Sequence, residues 1–196
     1  MDTNLWGMEK TKFKAWIKSH FPRVEDSMLD VFINHAQWVQ YPKGTQLIAE
    51  GNRHPYSYFL IKGSVKSFYL KDGKSVCLWF AFENELVGTL KAMEGAPSRE
   101  TVELLEDSEF IRLNNETLLR LAEKDLAFSH LVSQLILEHA DFLEERLYQL
   151  QFMTSKERYE ALLKLAPEVL QKVSLTDIAS YLGVSRETLS RIRSQK

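Results

Sequence analysis

A single cysteine and five histidines are all that this 196-residue chain offers of the soft metal-binding and redox residue types. The lone Cys77 can close no disulfide within the chain, and a cluster held by several cysteines is excluded. It lies in an apolar run, the setting of a buried, inert thiol. His20, His35, His54, His130 and His139 are scattered, with no H-x-H or H-E-x-x-H spacing. A metal-dependent enzyme on this chain therefore lacks its ligand set. G-x-S-x-G and P-loop motifs are also absent, which leaves acyl transfer and nucleotide hydrolysis without support. No apolar run approaches the roughly 20 residues of a membrane span, and the N-terminus carries Asp2 and Glu9 in place of an apolar leader. These absences lead us to expect a soluble, cytoplasmic, non-enzymatic protein with no membrane partner.

What is present suffices for a packed core. The chain is 44% hydrophobic and 11% aromatic, and its length suits one medium domain plus a small one. Net charge is −2, so no basic coat exists. The charge is nevertheless uneven. From Ser155 onward eight Lys/Arg face five Asp/Glu, leaving 17 against 22 for the rest. The basic excess lies at the C-terminal end, where a polyanion contact would need it.

Hydrophobic period divides the chain into stretches. Met1 to about Gln37 has helical spacing, with Phe13, Trp16, Ile17 and His20 on one stripe and Met28, Leu29, Phe32 and Ile33 on the next after Pro22. From Trp38 to about Leu113 short runs suited to strands alternate with turn residues: Pro42-Lys43-Gly44, Glu50-Gly51-Asn52, Lys62-Gly63, Asp72-Gly73 and Gly95-Ala96-Pro97. Asp72-Gly73 is a strong hairpin signal. This pattern suggests a jelly-roll-like barrel. After a short helix near Thr117–Glu123, a long helix over Ala127–Met153 carries two apolar stripes. One is Val132, Ile136, Ala140, Leu143, Leu147 and Leu150; the other includes Leu131, Leu135 and Phe142. One stripe can pack on the barrel and the other on a partner. Thr154-Ser155 interrupts the helix. Ser155–Ala166 follows, with Tyr159, Leu162, Leu163 and Leu165 expected inward, and no Gly/Ser-rich linker separates the parts. The fold class is α+β: an N-terminal β jelly-roll barrel, a long helix and a C-terminal helical domain. The expected divisions are 1–125, 126–153 and 154–196.

The C-terminal segment Leu175–Arg193 reads as two short helices joined at Gly183. Thr176 is a candidate cap for the first, whose apolar positions are Ile178, Ala179 and Leu182. Ser185 caps the second, with Val184, Leu189 and Ile192 inward. Arg186, Glu187, Ser190 and Arg191 then face outward. This is a helix-turn-helix layout, in which the second helix enters the major groove of double-stranded DNA. Arginine can bond guanine bidentately and glutamate can accept from cytosine. An ordinary surface hairpin has the same hydrophobic pattern, and the outward residues are what set this one apart.

The run T-D-I-A-S-Y-L-G-V-S-R-E-T-L-S-R-I-R closely resembles the DNA-reading segment of the Crp/Fnr family of bacterial transcription regulators. Further upstream, Y-P-K-G-T-Q-L-I-A-E-G and Y-F-L-I-K-G-S-V-K resemble that family's cyclic-nucleotide-binding fold, with Gly44, Gly51 and Gly63 matching its turn glycines. The resemblance implies a homodimer paired through the long helix, bound to a near-palindromic site and able to address RNA polymerase. It implies that Arg186, Glu187 and Arg191 read bases, while Ser185, Thr188 and Ser190 hold the backbone or support those contacts. It also implies an effector pocket built on Glu85, Leu86, Ser98 and Arg99, with cAMP as the ligand. Here the chain departs from the family. Asn84 stands where a glycine is expected and Ser98 where the phosphate-binding arginine is expected. Arg99 falls one place late, and Glu100 adds a negative charge. Arg99 either turns inward through a shifted loop or is a solvated partner of Glu100 or Glu103. The pocket is either vestigial or takes another small molecule. A cyclic-nucleotide regulatory module without DNA binding is the alternative reading, and it has no use for the S-R-E-T-L-S-R run.

Overall fold

The computed structural model describes residues 3–20, 22 and 24–194, with side chains from Lys10 onward; the helical expectation for Met1 and Asp2 and the terminal cation Lys196 lie outside them. Two helices, α1 (Thr3–His20) and α2 (Asp26–His35), precede the strands. Eight strands follow: β1 (Gln37–Tyr41), β2 (Gln46–Ile48), β3 (Tyr56–Lys62), β4 (Val65–Lys71), β5 (Lys74–Ala81), β6 (Leu86–Val87), β7 (Thr101–Leu104) and β8 (Ser108–Asn114). A short helix α3 (Leu90–Met93) lies between β6 and β7. The strands form two antiparallel sheets, ordered β1-β8-β3-β6 and β2-β7-β4-β5. This is the expected jelly roll. Its interior is packed by Leu60, Val65, Val102, Leu104 and Phe110 from both sheets.

Turn chemistry matches the sequence. Asp72 and Gly73 both have positive φ, 52° and 74°, as the tight β4–β5 hairpin demands. Asn84 sits at φ 70°. The substitution for glycine therefore keeps the left-handed backbone, because asparagine tolerates that region better than most side chains. Gly63 is tighter still: φ is 117°, and a Cβ there would fall 2.2 Å from Ser108 Oγ.

α1 and α2 close one side of the barrel. Phe13 packs on Phe59 and Phe32, with ring centroids 4.9 and 5.7 Å away. After α4 (Asn115–Lys124) comes the long helix α5 (Leu126–Phe152), capped by Asp125, whose carboxylate accepts from Phe128 N–H at 2.8 Å. Its first turns bury Phe128, Leu131 and Val132 in the same cluster as the N-terminal helices. Farther along, Ile136, Leu143, Leu147 and Leu150, of the stripe that starts at Val132, are exposed, together with Leu137, Tyr148 and Phe152.

The chain turns at Met153, and a capping box between Thr154 and Glu157 starts α6 (Ser155–Leu165). α7 (Val169–Lys172), α8 (Leu175–Leu182) and α9 (Arg186–Ser194) complete the fold. Two sequence expectations are corrected here. Leu165 is 75% exposed, because α6 presents only Tyr159 and Leu162 fully to the core. The cap of α8 is Ser174, two residues before Thr176, since it is the Ser174 hydroxyl that accepts from Asp177 N–H at 3.1 Å.

Gly63→Ala combines left-handed strain with a clash against Ser108. It is expected to lower the unfolding free energy by about 2–4 kcal/mol in chemical denaturation.

Candidate nucleic-acid interface and effector cleft

α8 and α9 are joined by Gly183, which adopts φ 68° and ends α8 in a left-handed cap. Ile178, Ala179, Leu182 and Leu189 are buried between them. Ser185 caps α9, its hydroxyl accepting from Thr188 N–H at 3.2 Å and lying 3.2 Å from the Thr188 hydroxyl. Arg186, Glu187, Ser190 and Arg191 are all exposed on α9, while Thr188 is half-buried against the cap. The Glu187 carboxyl is held below its ordinary range, first by backbone N–H at the helix start and then by the Ser185 hydroxyl. All six candidate DNA-contacting residues thus fall on one cap and the first two turns of one helix.

The pair is not free of the barrel. α8 lies on the outer face of β4 and β5. Ser180 Oγ accepts from Cys77 N–H at 2.9 Å and donates to the Ser75 carbonyl at 3.3 Å. Lys66 Nζ lies 3.2 Å from Asp177 and 3.5 Å from Glu103, and Lys66 and Asp177 are each only 15% exposed. Lys172 reaches Glu106 at 3.0 Å. The Tyr181 ring meets Phe80 at 5.3 Å and carries the Arg146 guanidinium 3.8 Å above it. Arg146 also donates to the Tyr181 carbonyl. Arg158 ties the turn together by donating to the Met153 carbonyl at 2.6 Å and the Leu182 carbonyl at 3.0 Å. Cys77 and Phe82 join one buried cluster with Val169, Ile178 and Leu182. The Cys77 thiol is buried as expected, and burial pushes its pKa up. The pairings of Lys66 with Asp177 and of Cys77 with Ser180 had no local signal, since their partners stand 111 and 103 residues apart in the chain.

The cassette residues surround the open end of the barrel. The Glu85 carboxylate folds under its own turn to accept from Phe82 N–H at 2.9 Å, and the surrounding protein raises its pKa by desolvation. Leu86 is partly exposed on β6. Ser98 is buried, but its hydroxyl is spent on its own chain, donating to the Glu100 carbonyl at 2.8 Å. Arg99 is exposed at the rim, and neither suggested partner is turned to it: Glu103 pairs with Lys66, and Glu100 points inward. The Glu100 carboxylate accepts from the Trp79 indole N–H at 2.9 Å and from the Ser67 hydroxyl. These residues do not fit a cyclic phosphate. A fully buried hydroxyl stands where a cation is needed, and a desolvated carboxylate stands beside it.

Comparison with known proteins agrees with this architecture. Residues 38–125 match the family model of the cyclic nucleotide-binding domain. The cAMP-activated global transcriptional regulator CRP of Salmonella typhimurium is 26% identical over 191 residues, covering 85% of this chain and 85% of that protein. The similarity thus extends well beyond the residues of the domain model. The chain is similar to Crp/Fnr-type regulators over most of its length. Solved structures of this fold include FixK2 from Bradyrhizobium japonicum, with a TM-score of 0.71, 23% identity and coverage of 82% of this chain and 83% of that one. Another is the Thermus thermophilus catabolite activator protein, with a TM-score of 0.57, 21% identity and coverage of 89% and 84%. The terminal helices thus carry the residues that the sequence resemblance singled out, while the cassette departs from that resemblance at Asn84 and Ser98.

The Lys66–Asp177 pair joins barrel and α8 across a mostly desolvated contact. A double-mutant cycle with Lys66→Met and Asp177→Leu, read by chemical denaturation, is expected to give a coupling energy of about 1 kcal/mol.

Proposed function

We propose that this protein is a sequence-specific DNA-binding transcription regulator of the Crp/Fnr type that acts as a cytoplasmic homodimer, without enzymatic activity of its own. The observation that carries this reading is α9: four exposed polar side chains, Arg186, Glu187, Ser190 and Arg191, on a helix whose opposite side is anchored by buried Leu189. That arrangement suits insertion into a major groove, with Arg186, Glu187 and Arg191 at base edges and Ser185, Thr188 and Ser190 supporting them or holding phosphates. Divisions at 1–125, 126–153 and 154–196 assign sensing, pairing and DNA contact to successive parts of the chain. A regulatory module without DNA binding would leave the exposed face of α9 without a role.

The pairing surface is the exposed part of the first stripe of α5, from Ile136 to Leu150. Leu143 is 47% and Leu147 56% exposed, with Ile136 and Leu150 on the same stripe. A continuous apolar seam of this kind on one helix suits a two-fold helix pair. Two-fold symmetry would then present two copies of α9 to successive major grooves, about 34 Å apart.

Gel-shift selection from random-sequence DNA should recover a near-palindromic site; failure to enrich any sequence overturns the reading. On the selected site, Arg186→Ala is expected to cost about 1–3 kcal/mol and to relax preference at one position per half-site. Replacing Leu143 and Leu147 together by aspartate should convert the dimer to monomer in sedimentation velocity and abolish binding to the full palindrome while leaving the chain folded by circular dichroism.

A further inference from the structure

α8 ends at Gly183, and each of the last four carbonyls of that helix has a donor. The Ala179 and Ser180 carbonyls accept from Gly183 and Val184 N–H in the left-handed turn. The Tyr181 and Leu182 carbonyls are met by guanidinium groups instead. Arg146 of α5 donates to the Tyr181 carbonyl. Arg158 of α6 donates through Nε to the Leu182 carbonyl at 3.0 Å and through Nη1 to the Met153 carbonyl, just past the end of α5, at 2.6 Å.

Among the described residues, neither guanidinium is ion-paired with a carboxylate; their hydrogen bonds run to carbonyls, to the Gln149 amide and to the Ser155 hydroxyl. Both side chains are half-buried. Desolvation lowers the Arg146 pKa, but an arginine stays charged at neutral pH. What stabilises the two charges is the partial negative charge that gathers where α5 and α8 both end. Arg146 also lies 3.8 Å above the Tyr181 ring, a geometry open to a planar fork that stacks and donates together. On α5, Arg146 stands between Leu143 and Leu150 of the exposed seam, three residues after one and four before the other. A Leu150 methyl lies 3.8 Å from where a Cβ on Gly183 would fall. The seam and the turn that leads into α9 therefore meet at one place.

We propose that Arg146 and Arg158 are positioning residues for DNA reading, which clamp the end of α8 to the end of α5 so that a dimer accepts one separation between its half-sites. Neither arginine contacts DNA; each acts through a carbonyl that precedes the turn into α9. Two extra base pairs between half-sites move them about 7 Å apart and turn them about 70° around the duplex. A rigidly held pair of α9 helices cannot follow that change, and a hinged pair can. The clamp has this role only if two chains pair through α5 and read DNA, as proposed above.

The test measures affinity of the full-length protein for the selected palindrome with zero, one or two base pairs added between its half-sites. Wild type should prefer its own spacing at least about tenfold, and Arg146→Met should reduce that preference to about threefold or less while keeping the base preference within each half-site. A role in stability alone would weaken every spacing equally. Arg146→Lys keeps the charge but cannot stack and donate in one plane, so it should lose spacing preference too, and it decides the matter if Arg146→Met does not fold. A second measurement needs no DNA. With a nitroxide on Ser194→Cys and the buried Cys77 unlabelled, pulsed electron spin resonance should give one narrow distance between protomers, which Arg146→Met broadens. Failure to select any DNA site would sink the DNA-binding reading and leave this distance to judge the clamp. Spacing preference unchanged in both Arg146 variants, a change in base preference instead, or a distance that is absent, equally broad in wild type or unaffected by Arg146→Met would each overturn the proposal.

Discussion

Tyr181 is gripped from two sides, by the Phe80 ring of the barrel and by the Arg146 guanidinium of the long helix, and the placement of both terminal helices depends on that grip. The reason is size. The segment from α6 to α9 spans only residues 155–194. A unit of about 40 residues buries too little of its own surface to be stable by itself. It completes its core with the outer face of the barrel, where Cys77 and Phe82 join Val169, Ile178 and Leu182. Around this apolar contact stand directional ones: Lys66 with Asp177, Cys77 N–H with Ser180, and Lys172 with Glu106. The apolar contact supplies most of the stabilisation, and the polar ones fix the orientation.

The same two strands carry both the cleft and the docking surface. β4 and β5 turn Ser67 and Trp79 inward toward Glu100, while their neighbours Lys66 and Phe80 face α8. This follows from the two-residue period of a strand. A shift of these strands caused by a ligand in the cleft would be felt one side chain away, at the seat of Tyr181. α5 closes the same circuit, since His139 and Phe142 line the cleft and Arg146, one and two turns farther along, holds Tyr181. A sensing event, if conveyed to α9, thus has a short mechanical route through packed and bonded groups.

Much of this protein was legible in its sequence, and the legible parts share a cause. Asp72-Gly73, Gly44, Gly51, Gly63 and Gly183 mark turns because each needs a backbone region that few other residues enter, and all adopt positive φ. The two stripes of α5, the interruption at Thr154-Ser155 and the exposed face of α9 came from local periodicity and capping. These features are set by neighbours within a few residues, so the chain alone determined them. Some local readings still slipped by a residue or two. Ser174 outcompeted Thr176 for the cap of α8, and Leu165 fell on the solvent side of α6 because α6 ends against only part of the core.

Tertiary structure decided what joins distant segments. Nothing near Lys66 in the chain announces Asp177, and nothing near Tyr181 announces Arg146 or Phe80. The direction of Glu100 was equally hidden. Sequence spacing placed it beside a missing arginine, but only the pairing of β4 with β5 and β7 brought Ser67 and Trp79 to its carboxylate. Local propensity and turn chemistry act over a few residues and can be read along the chain. Burial, ion pairing and the solvation of a carboxylate depend on which segments meet, and that is known only when the sheets have closed and α8 has docked.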